Sequence, residues 1–124
     1  MTFYKEIIHR ILDATEVMIH KLAFIYIWGF NKSLRHHISV NRVLKHDTQK
    51  VIDILLMGDN MATKKHRKEE GHHTFKTVAD LWEAVCDWEC AHITKPAKPL
   101  KARSTWETYY KHLPLKSILD NANL

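Results

Sequence analysis

Between residues 3 and 28 the chain carries a helical repeat that excludes most alternatives to an α-helical fold. Ile7, Ile8, Ile11, Leu12, Met18, Ile19, Leu22, Ile25 and Tyr26 recur at spacings of three and four, the spacings that return to one side of a helix with 3.6 residues per turn. Thr2 stands where an N-cap belongs, and Gly29 with Asn31 supplies a stop. The last two turns are apolar on nearly every side, so that end is expected in the middle of a bundle or at an interface, and a homodimer through it is admitted. Ser33 opens a second helical segment through Ile38, Val40, Val43 and Leu44, with His46-Asp47 at its end. Thr48 restarts a helix that runs to Met57 and stops at Gly58. Residues 59–74 are polar and basic, broken by Gly71, and read as loop or short helix. A fourth main helix spans about 75–93, with Val78, Leu81, Trp82, Val85 and Trp88 in one apolar stripe.

The remainder is shorter. Residues 94–103 form a basic linker, extended where Pro96 and Pro99 bar a helix in Lys95-Pro96-Ala97-Lys98-Pro99. Ser104-Thr105-Trp106-Glu107 has the capping-box form, S-x-x-E, and Pro114 opens a last turn or two. The divisions are therefore a core at 3–93, the linker, and short helices over 104–121. Three Gly and three Pro in 124 residues leave little punctuation for hairpins. The pattern predicts an all-α, single-domain bundle of about five helices.

Charge and thiols narrow the setting. A net charge of +5 favours anionic partners such as nucleotides or nucleic acid. Lys64, Lys65, Arg67 and Lys68 form one basic cluster, and Lys95, Lys98, Lys101 and Arg103 another. Cys86 and Cys90 lie four apart in one helical pattern, unsuited to a mutual disulfide, and are expected reduced in a cytoplasmic protein. The run from Leu22 to Trp28 is too short for a membrane span, and Glu6, Asp13 and Glu16 interrupt any leader, so no membrane partner is expected.

Ten His stand out, several of them grouped. The adjacent pair His46-Asp47, at the entrance to an apolar helical run, is a poor salt bridge because neighbouring helical side chains diverge. It suits the gripping of a metal, and His66, His72, His73 and Asp87 follow with further nitrogen and oxygen ligands. Asp87 projects with Asp80, Ala84 and Ala91, away from the apolar stripe. That side either faces water or, being lined by small residues, packs against a metal site.

These elements resemble the HD superfamily of metal-dependent phosphohydrolases, and more closely an HD-like family of phages and bacteria. The resemblance rests on His46-Asp47-Thr48-Gln49-Lys50, on His66 through His72-His73, and on the segment Asp80-Leu81-Trp82-Glu83-Ala84-Val85-Cys86-Asp87-Trp88, within residues 16–92. Gln49 stands where that family has Ser. Thr74-Phe75-Lys76 replaces a Pro-Glu, so one acidic group is missing. The resemblance implies a helical domain holding one or two divalent transition metals (Mn, Fe, Co, Ni or Zn) on His46, Asp47, Asp87 and a first His, either His20 or His37. Such an ion acts as a Lewis acid on a phosphoryl oxygen. His66, His72 and His73 then complete a second metal position or supply the general acid. Lys50, Arg67 and Lys68 are positioned to meet a phosphate. Trp82 and Trp88 are expected in the core, with base stacking as the alternative. The implied activity is hydrolysis of a nucleotide or related phosphoester. The competing expectations are a non-catalytic phage-type module that contacts a host protein or nucleic acid through its basic patches, and a metal that only staples a small fold.

Overall fold

A computed structural model of the chain describes residues 2–95 and 100–124. Among them are nine helices and no strand: α1 (Phe3–Phe30), α2 (Lys32–His37), α3 (Val40–Lys45), α4 (Thr48–Met57), α5 (Asp59–Glu69), α6 (Gly71–Thr74), α7 (Val78–Thr94), α8 (Ala102–Tyr109) and α9 (Lys116–Asn121). Five of these exceed seven residues, and together they make one small all-α domain. No helix among the described residues is long and apolar enough to cross a membrane. The Pro-containing stretch 96–99 of the expected linker lies outside the described residues.

The architecture turns on α7. Every residue from Leu81 to Cys90 is buried, as is Asp80, so this helix is enclosed on all sides. Helix α1 packs along it through Phe24, and α2, α6 and α8 cover its other faces. Helix α4 lies against the flank of α1 that carries Ala14 and Val17, and Ala14, Ile54 and Ala62 join α1, α4 and α5 in a small second core. Thr77 and Asp80 start α7 with a capping box: Asp80 N donates to Thr77 Oγ1 at 3.1 Å, and Thr77 N donates to Asp80 Oδ2 at 3.1 Å.

Several boundaries depart from the sequence expectation. The segment from Ser33 to Leu44 is two helices, because Asn31 caps α2 at Leu34 N and Ser39 caps α3 at Arg42 N. Residues 59–69 form a regular helix despite their polarity; Ala62 and His66 face inward, and Lys65 Nζ meets Asp53 Oδ2 of α4 at 2.9 Å. The capping box at Ser104 does not form. Helix α8 begins three residues earlier, with Lys101 as its N-cap, where the buried Glu89 carboxylate accepts the Ala102 amide at 3.0 Å. The end of α1 is only half covered: Phe24 is fully buried, while Leu22, Tyr26 and Phe30 stay exposed.

Candidate metal centre

The side chains of the centre come from α1, α5, α6, α7 and the α3–α4 junction. His20 lies on the buried side of α1, and His46 closes α3. Asp47 precedes α4, His66 sits in the last turns of α5, and His72 and His73 belong to α6. Glu83 and Asp87, one turn apart on α7, share the face that looks toward them.

The first group of four meets tightly. His20 Nε2 is 2.6 Å from Asp87 Oδ1, and His46 Nε2 is 3.1 Å from the same oxygen. Asp47 Oδ2 lies 3.3 Å from His46 Nε2 and 3.8 Å from His20 Nε2. What turns these nitrogens inward is the pairing of the other side of each ring. His20 Nδ1 bonds Thr94 Oγ1 at 3.0 Å, and His46 Nδ1 bonds Glu83 Oε2 at 2.9 Å, while Phe24 stacks on His46 at 3.9 Å between centroids. Outer partners on Nδ1 fix ring orientation and leave Nε2 for an ion.

The second group shares Asp47. Its Oδ1 lies 3.0 Å from His66 Nε2 and 3.5 Å from His72 Nε2, and those two nitrogens are 3.1 Å apart. His66, His72 and His73 together form a set whose ligand atoms lie within 4.8 Å of one another. Asp47 Oδ1 is buried without a hydrogen bond, because the approach of His66 is close but out of line. His72 Nδ1 is likewise unbonded, although Glu83 Oε2 stands 2.5 Å away. Buried polar atoms are rarely left so. Asp47 Oδ1, unbonded and faced by the Nε2 atoms of His66 and His72, is an oxygen that a divalent cation would satisfy. The buried His/Asp cluster could therefore hold a metal, and the mixed imidazole and carboxylate set suits Mn, Fe, Co, Ni or Zn.

Electrostatics bind the cluster together without an ion. Burial pushes the Asp47 and Asp87 carboxyls up, but the neighbouring imidazoles (His46, His66 and His72 for Asp47; His20 and His46 for Asp87) hold both well below the usual range. Glu83, also buried, is drawn down to about 2 by His46 and His72. Burial disfavours the charged form of His72, yet Asp47, Glu83 and Asp87 raise it to about 10. His73 falls to about 3, through burial first and the charge of His72 second. Cys90 Sγ, 3.7 Å from His20, is kept a neutral thiol by burial and Asp87, and it donates to the Asp87 carbonyl. Asp47 has a left-handed backbone, φ 58 and ψ 4, and makes no capping bond to α4 although Asp is a favoured cap. Such a conformation costs on the order of 1 kcal/mol; here it delivers the carboxylate into the cluster.

Not all expected residues arrive. Of the two candidates it is His20 that joins the cluster; His37 sits exposed on α2 with its ring stacked on Trp82 at 3.9 Å and Nδ1 bonded to Ser33 O. Trp82 is thereby core, as expected. A cleft of about 880 Å³ opens on the cluster, lined by Asp47, Asp87 and the His66, His72 and His73 group. Lys50, half buried, and Arg67 line it; Lys68 is exposed and does not. Trp88 also lines it, stacked on Tyr110 at 4.6 Å. A second, smaller opening of about 400 Å³ reaches His20 and Asp47 past Asp13, Glu16 and Asp59, and Lys50 and Lys95 border both. Glu83 has no role in the sequence expectation. Its position four residues before Asp87 was the available signal, and it stands beside His72 and His46. No protein-family model, curated protein or solved structure matches the chain.

Proposed function

We propose that the protein is an HD-type metal-dependent phosphohydrolase acting on a nucleotide or related phosphoester. The observation that supports this reading is the double use of Asp47, with His20 and His46 (themselves on Asp87) beside one oxygen and His66 and His72 beside the other. When bound, a divalent transition metal supplies Lewis acidity toward a phosphoryl oxygen. The chain's own groups do the rest. Lys50 and Arg67 on the cleft offer cations to the phosphate. Lys50 has its pKa lowered by burial and by Lys95, so its ammonium gains from an arriving anion. His73 is neutral in neutral solution, which leaves its ring nitrogen available to an ion, whereas His72 carries a proton in the metal-free protein. Trp88 and Tyr110 give the cleft an aromatic surface on which a base can stack.

The deciding experiment is metal analysis of dialysed protein together with hydrolysis of a panel of nucleotides and phosphoesters. Wild-type protein is expected to retain a transition metal and turn over at least one of them. Asp47→Ala should lose both, with turnover down at least ~100-fold, since several ligands lose their common partner. Hydrolysis that persists in Asp47→Ala would reject the chemistry.

A further inference from the structure

Helix α1 packs against α7 and α4 and leaves its remaining side uncovered. Phe3, Tyr4, Ile7, Ile8, Ile11, Leu12, Met18, Ile19, Leu22, Tyr26 and Phe30 are between 38% and 82% exposed along its outer side. Eleven large apolar side chains at such exposures amount to on the order of 1,000 Å², against roughly 300–600 Å² for the largest apolar patch of an ordinary monomer. Their area reaches the ~800 Å² per partner that a stable interface buries.

The arrangement of these residues selects the occupant. Counting outward from Thr15, Leu12 and Met18 stand three residues away on either side, Ile11 and Ile19 four, Ile8 and Leu22 seven, and Tyr4 and Tyr26 eleven. Those are the offsets that return to one face of a helix. A two-fold interface needs one patch that matches itself when reversed, and this stripe does so pair by pair. Thr15 itself is exposed, with its hydroxyl donated to Ile11 O at 2.7 Å, so what it turns outward is its methyl group. No charged side chain falls at any of the paired positions.

We propose that α1 pairs antiparallel with α1 of a second copy of this chain, about a dyad at Thr15. Tyr4 then meets Tyr26 of the other copy, Ile8 meets Leu22, and Ile11 meets Ile19. The metal cluster lies on the opposite side of α1 through His20, so pairing leaves it intact.

Sedimentation of the whole protein tests this. The expected particle has twice the chain mass of 14.6 kDa, and Ile11→Glu/Leu22→Glu should halve it while metal content is unchanged. Thr15→Cys gives an arm that does not depend on that variant folding. Cys86 and Cys90 are buried, so mild oxidation should yield a covalent dimer through the new thiol alone. A single-chain mass at every concentration, a doubled mass that survives both glutamates, or no covalent dimer from Thr15→Cys would overturn the proposal. So would a wild-type monomer that instead binds vesicles of phosphatidylcholine and phosphatidylglycerol.

Discussion

Glu83 holds His46 by Nδ1 and stands against His72, so one carboxylate governs a ring in each half of the cluster. Replacing it by Gln keeps the shape and removes the charge. Glu83→Gln should weaken metal binding by roughly 10–100-fold, as loss of an outer partner does, read by competition with a chromogenic chelator. Unchanged affinity would mean that the Phe24 stack alone orients His46. At this scale the sequence was legible where the cluster's side chains are neighbours in the chain, as at His46-Asp47 and His72-His73. It was not legible where the fold decides. His37 is nearer to His46 in sequence, but α2 turns it onto Trp82, while His20 arrives from the buried side of α1.

Helix α7 shows how an element can mislead. Its polar positions, Asp80, Glu83 and Asp87, follow the same period as a solvated face, because periodicity records polarity and not what meets it. Here they meet Arg42 and the imidazoles, and the helix is enclosed. Helix α5 hides for a related reason: a small core contribution from Ala62 leaves little apolar pattern to detect. By contrast, α1 and α4 were legible from their spacing, and Gly58 ends α4 as expected, with φ 87. Helix α6 depends on Gly71, where a Cβ would stand 2.1 Å from Asp80 Oδ1. Gly71→Ala should force Asp80 out of its capping bonds and destabilise the protein by about 1–3 kcal/mol, with His72 and His73 displaced. A thermal melt and metal analysis of the variant check both effects; an unchanged melt would show that Asp80 has room to move.

For the molecule as a whole, the cluster joins α1, α5, α6, α7 and the α3–α4 junction through charge, so its stability without metal depends on pH from both directions. His72 gains its proton on folding, and its contribution is complete below pH 6.5 and lost as pH rises toward about 10. His73 does the reverse: its folded value of about 3 lies below 6.5, so stability is lost as pH falls between them. The depressed carboxyl of Glu83 adds a further loss as pH falls from 4.5 toward about 2. Chelated protein should therefore melt highest near pH 6.5 and lower on either side, as a series of thermal melts would show; a melting temperature that climbs steadily to pH 9 would contradict it. The all-α architecture was legible because long apolar repeats dominate the chain, whereas the depth of the cluster was not, since burial is a property of neighbours. One consequence follows from the two openings that meet at Asp47 and share Lys50 and Lys95 on their borders. A molecule lodged against Trp88 and Tyr110 would cork the large side only and leave the acidic approach past Asp13 and Glu16 open to a cation.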